Sequence, residues 1–265
     1  MQNITPAVKI LLAINFLLFL LTFLLGENGE MMKDWLGLHH WESQHFFPTQ
    51  FITHIFMHAD LWHLFNNMLS LFFFGTLLEQ VWGSKKFYIF YFATGLGASL
   101  LFSGVRMYEM HTMHASLETF MASPNPDDFF LYFKTYAPHM FQNEQFDAFM
   151  NSFDKAPTDP AAIESASFFM QELYTRYLDV GMMGASGAVF GLLIGIALIF
   201  PNIELYLFLI PVGIKAKYYV LFYGALEVYR IIENRPDDNV AHFAHLGGLL
   251  IGFILIKIWG EKPRV

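Results

Sequence analysis

Six stretches of this chain, residues 7–25, 61–81, 87–105, 183–200, 218–232 and 243–259, are apolar and almost free of charge. About 20 such residues span the hydrocarbon of a bilayer as a helix, so the pattern predicts an all-α polytopic membrane protein with six transmembrane helices. The composition agrees. Charged residues make up 14% and hydrophobic types 55%, whereas charged residues run near a quarter in an ordinary soluble domain. The chain reads as one membrane domain, 1–265, carrying a polar insert at 106–180 between helices three and four. The linker at 201–217 holds Pro201, Pro211 and Gly213 and reads as an irregular loop at the surface, a re-entrant turn being the alternative.

Lys9 before the first apolar run is also how a secretory signal begins. That run is longer than a usual signal core, and Gly26-Glu27-Asn28 lacks the small-x-small cleavage pattern, so a retained span is the reading. There is no cysteine, which excludes disulfides, thiol catalysis and Cys-ligated zinc. The net charge of −8 gives no footprint for nucleic acid.

Lys and Arg in short loops mark the cytoplasmic side. Lys9, the pair Lys85 and Lys86, the pair Lys215 and Lys217, and Lys257, Lys262 and Arg264 all fall on one side of a six-span arrangement. Both termini are then cytoplasmic. Glu27, Glu30, Asp34, Glu42, Asp237, Asp238 and the insert lie opposite. The insert alternates aromatic-rich, acidic segments with prolines, which predicts short amphipathic helices on the membrane face or capping the bundle.

Polar groups inside spans are costly and call for a partner or a job. His63 and Asn67 on span two, Ser186 on span four and His245 on span six all fall in the first two turns of spans entering from the outer side. They therefore share a depth. Gly187, Gly191 and Gly195 recur every four residues, as do Gly248 and Gly252, and small residues at this spacing let two helix backbones approach. That would bring Ser186 within reach of His245.

A serine becomes a useful nucleophile when a base accepts its proton, and histidine is the usual base near neutral pH. Ser186 and His245 supply that pair. The Ser186 backbone N–H, the His63 ring and the Asn67 amide are oxyanion donors, and Phe190, one turn beyond Ser186, is placed to pack on His245. Glu79 lies at the cytoplasmic end of span two, so the sequence argues against a third, acidic member. The soluble-hydrolase G-x-S-x-G elbow is excluded because Ala188 stands where its second Gly is needed. Zinc could be sought among His54, His58, His63, His242 and His245, but H-E-x-x-H is absent and no Glu stands beside the paired histidines in sequence. The reading is no metal.

With "GASGAVFG" (184–191), "HADLWHLFNNM" (58–68), "GTLLEQVWG" (75–83) and "AHLGG" (244–248), the chain resembles the rhomboid family of intramembrane serine proteases. The resemblance implies a six-helix rhomboid bundle, Ser186 as nucleophile, His245 as general base, and His63 and Asn67 at the oxyanion. It also implies Phe190 stacked on His245 and Gly184 where substrate backbone approaches the serine. It assigns the base to His245 rather than His242 of "AHFAH", because the Gly pair follows the second histidine. It further implies cleavage of single-pass membrane proteins near the outer face with lateral entry past span five, in the lipid bilayer and without metal or organic cofactor. The plasma membrane of a bacterium is the expected location, and the oligomeric state is not read. The alternative is an inactive rhomboid-like protein that binds membrane clients; a small transporter is disfavoured because no repeated halves are evident. One departure is Trp41-Glu42, where the family often has Trp-Arg; another is the size of the insert.

Overall fold

A backbone in hydrocarbon must satisfy its own hydrogen bonds, and each apolar run accordingly lies in a helix except at 183–185, which precede α9. The computed structural model describes residues 3–205, 212–233 and 241–264. Helix α1 (Pro6–Leu25) starts on a proline, whose missing N–H costs nothing in the first turn. After Gly26 the chain turns into the polar α2 (Glu27–Leu36), then a loop, the short α3 (Gln50–Thr53) and a tight turn over His54–Phe56. Asp60 caps α4 (Leu61–Ser70) by accepting from the His63 N–H at 2.8 Å.

The next helix runs on through a π turn at Leu71–Gly75 into α5 (Thr76–Ala122), which breaks only at Gly83, where φ is +73°. The runs at 61–81 and 87–105 are thus two helices hinged at one glycine. The second does not stop where the apolar run does. With no proline before Pro124, it continues to Ala122, and this projecting rod carries the insert. Helices α6 (Pro126–Tyr136), α7 (Glu144–Lys155) and α8 (Pro160–Asp179) pack on it around a separate core that includes Phe120, Phe129, Phe133, Phe146, Phe153 and Met170.

Helix α9 (Ser186–Ile199) runs through the middle, with α5 and α11 (His242–Ile258) against it. Most of its residues are buried, including its three glycines. A side chain at Gly248 would begin 2.0 Å from the Gly187 carbonyl oxygen, so α11 and α9 touch backbone to backbone there, the close approach that the glycine spacing predicts. On another side of α9, a Cβ at Gly187 or Gly191 would meet Ala98 or Thr94 of α5 at 2.5 Å. Helix α10 (Ala216–Glu233) packs on α9 and α11. The 201–217 linker is partly regular: β1 (Glu204–Leu205) pairs antiparallel with β2 (Ile214–Lys215). The re-entrant alternative falls in part, and Asp237 and Asp238 fall wholly, outside the described residues.

Two polar contacts tie distant elements together. Glu79 of α5, 3% exposed, accepts the Ala7 and Val8 N–H groups at 2.8 and 3.0 Å and the Ser84 hydroxyl at 2.6 Å. It caps α1 from outside that helix, which explains a carboxylate in an otherwise apolar segment. Glu79→Ala strands buried donors at about 1–3 kcal/mol each. For a net loss of about 2 kcal/mol, the midpoint of thermal unfolding in detergent should fall by roughly 4–8 °C; an unchanged midpoint would show the cap to be dispensable. The other contact concerns the first loop. Where the family often has Arg, Glu42 accepts from the Tyr174 hydroxyl of α8 at 3.3 Å, and Ser43 donates to Asp179 at 2.7 Å. These bonds tie the first loop to α8.

Candidate functional site

Ser186 is the first residue of α9 and follows a short extended segment. That segment is pinned to the first loop: Met182 and Leu38 exchange N–H···O bonds at 2.8 Å each, and the Gly184 N–H donates to the His54 carbonyl at 2.9 Å. Non-helical backbone is tolerated at this level because protein surrounds it. Gly184 has φ +127°, and a Cβ there would sit 2.7 Å from Cε1 and Nε2 of His63. Glycine is therefore needed twice, for its backbone angle and for the imidazole lying over it. Helix geometry leaves the N–H groups of the first turn, those of Ser186 and Gly187 among them, without an intrahelical carbonyl.

His245 lies in the first turn of α11 and is 8% exposed. The Phe190 ring lies flat on its face, with centroids 4.2 Å apart and planes 9° from parallel. Ser186 and Ala244 line one small pocket with His54, Met183 and Gly184. The fold therefore brings Ser186, Gly184, His63, Phe190 and His245 to one end of three helices. No hydrogen bond joins the Ser186 hydroxyl to His245. The Asn67 amide donates one N–H to the His63 carbonyl at 3.1 Å, which leaves its second N–H for another acceptor. A larger open cavity of about 440 Å³, lined among others by His40, Trp41, Glu42 and Tyr174, lies between the first loop and the insert and includes neither Ser186 nor His245.

His54 and His58 of the first loop are neutral. Burial drops His54 to about 4 and, with some help from the nearby His63, His58 to about 3. His58 packs edge-on against His63 at 5.1 Å, and it brings no positive charge to the site at neutral pH.

One expectation is overturned. The sequence argues against an acidic group beside His245, and the fold supplies one in Glu227 of α10. Its Oε1 is 3.1 Å from His245 Nδ1, an ion-pair distance at an angle short of a well-aligned hydrogen bond, and its Oε2 is 2.5 Å from His242 Nδ1. The acid comes from the fifth span, outside the three that carry Ser186, His63, Asn67 and His245. A lone acid in a span is itself a signal, because insertion of a charge there costs about 2.5–3.5 kcal/mol; "GALEVYR" (224–230) carries it.

The Rhomboid domain family matches residues 46–118 and 162–262, most of the chain and all of the site. The chain belongs to the rhomboid family. As a rhomboid it is a membrane-integral protein of a family that includes serine proteases. The stretch between the two matched segments, 119–161, holds α6 and α7. RHOMBOID-like protein 12, mitochondrial, of Arabidopsis thaliana is 27% identical over 204 residues, covering 77% of this chain and 44% of the relative. This rhomboid chain therefore matches less than half of that relative's length.

Proposed function

We propose that this rhomboid is an intramembrane serine endopeptidase acting on single-pass membrane proteins. The observation that carries the reading is the environment of His245. One ring face is covered by Phe190 and Nδ1 is turned to Glu227, a fixed imidazole at the level of an N-terminal helical serine. With its proton held on Nδ1 by Glu227, His245 keeps a lone pair on Nε2 for the Ser186 hydroxyl. Ser186 Oγ attacks the scissile carbonyl as its proton passes to Nε2. The first-turn N–H groups of α9 and the His63 ring stabilise the oxyanion. Collapse passes the proton from the imidazolium to the leaving amine. Water, activated by the same imidazole, then releases the acyl group and restores Ser186.

Depth follows from helix length. At 1.5 Å per residue, the 14 residues of α9 rise about 21 Å, short of a hydrocarbon core of about 30 Å. Lys86, Trp82 and Trp259 cluster toward its far end, with the Lys86 ammonium 4.6 Å from the Trp259 ring, as an interfacial belt does. Counted from that belt, Ser186 lies roughly 10 Å below the opposite surface. The six apolar helices are read as six spans, both termini and the Lys-bearing loops on the cytoplasmic side, and the insert outside. The bacterial plasma membrane remains the proposed location, although the Arabidopsis relative is named mitochondrial.

The reading is tested by reconstituting the protein in liposomes with a tagged single-span substrate and sequencing the products. Cleavage within or beside the span supports an endopeptidase. If a broad substrate panel binds and stays whole, the client-binding alternative replaces it.

A further inference from the structure

The proteolytic reading uses one oxygen of Glu227 and leaves His242 without a task. His242, one turn before His245, faces the other oxygen at 2.5 Å, and one ligand atom from each of Glu227, His242 and His245 lies within 4.8 Å of the others. These side chains keep 9%, 13% and 10% of their surface exposed, so the cluster is reachable by water at the end of the bundle. Two imidazoles and a carboxylate form a donor set that suits zinc and its neighbours. Metal–ligand bonds of about 2.0–2.2 Å put tetrahedral ligands roughly 3.3 Å apart. The two short contacts use different oxygens of Glu227; with one ligand atom from each residue the separations reach at most 4.8 Å, so the set must close by up to about 1.5 Å on binding.

We propose that Glu227, His242 and His245 bind a divalent transition-metal ion of the zinc class, and that the ion inhibits the enzyme. This rests on reading His245 as the general base. A neutral imidazole offers its lone pair at one nitrogen and carries its proton on the other. Glu227 holds the proton on Nδ1 and so frees Nε2. A metal at Nδ1 does the opposite: it takes the Nδ1 lone pair and leaves the proton on Nε2, which then cannot accept from Ser186. Ion and proton compete for one nitrogen: as the ion takes each Nδ1 lone pair, that ring's single proton moves from Nδ1 to Nε2, so the neutral His245 imidazole keeps its proton but on the nitrogen that faced Ser186. The metal-loaded protein has a nucleophile but no base.

The test uses untagged full-length protein freed of metal with a chelator. Cobalt(II) is titrated into Ser186→Ala as a coloured stand-in for zinc, and zinc is titrated into the cleavage reaction of the parent and of His242→Ala. The expected results are visible cobalt absorption saturating at one ion per chain and lost in Ser186→Ala/His242→Ala, together with zinc inhibition that chelator reverses. His242→Ala should need at least about 10–100-fold more zinc for half-inhibition, since loss of an outer-shell partner alone costs that much. Equal zinc sensitivity in parent and His242→Ala, or no cobalt absorption in a folded protein, overturns the proposal. Stoichiometric cobalt binding in a protein that cleaves nothing would instead sink the proteolytic reading, and with it the inhibitory role, while the ion site stands.

Discussion

Ser186→Ala, His245→Ala and the double variant should share one residual cleavage rate, at least about 10⁴-fold below the parent's. The shared floor is the informative part. A serine without its base, or a base without its serine, performs no part of the displacement, so the second substitution has nothing left to remove. Residues acting independently would multiply their losses. Ser186 stands at the first position of α9, and although His245 stacks on Phe190 of α9 and faces Glu227 of α10, α9 and α11 are held by their direct backbone approach at Gly187 and Gly248, so neither substitution removes the contact on which the fold depends. Unfolding midpoints should therefore stay near the parent's while product formation in proteoliposomes disappears. Losses that multiply, or a His245→Ala rate within tenfold of the parent's, would mean that some other group activates Ser186.

What could be read from the sequence divides along a physical line. Helices came from apolar runs because a bilayer leaves backbone polar groups no partner but their own chain; the runs at 7–25, 61–81 and 243–259 match α1, α4 with the start of α5, and α11. The approach of α9 to α11 was legible because only glycine tolerates the 2.0 Å that Gly248 leaves. The length of α5 beyond residue 105 was not legible, since hydropathy marks where a helix leaves lipid and says nothing of where it ends. The core of the insert was hidden for a related reason. Its buried phenylalanines lie on α5, α6 and α7, and their convergence is a fact of tertiary packing. The sequence marks Trp41-Glu42 only as a departure from the family pattern, and the bonds of Glu42 to Tyr174 and of Ser43 to Asp179 reach more than 130 positions along the chain.

Glu227 is the largest revision, and it carries the second large effect. Glu227→Gln should lower kcat by about 10²–10³-fold with KM nearly unchanged. Where an acid holds the base in its working tautomer in serine proteases of another fold, the amide costs about 10⁴; here the 3.1 Å contact is less well aligned, and Phe190 still holds the ring plane, so the loss is smaller. Glu227→Asp, which keeps the charge at a shorter reach, should recover part of the rate. A purely structural role predicts a different pattern. If Glu227 only stapled α10 to α11, the loss of rate would follow a fall in thermal stability, and Asp would rescue neither. The deciding measurement is the rate at which a serine-directed phosphonate labels Ser186, followed beside the unfolding midpoint. Slow labelling in a protein of parental stability makes Glu227 a positioning residue for His245, because the probe reports activation of the serine without requiring a transmembrane substrate to enter. Parental labelling with slow cleavage would place the effect of Glu227 on substrate entry past α10.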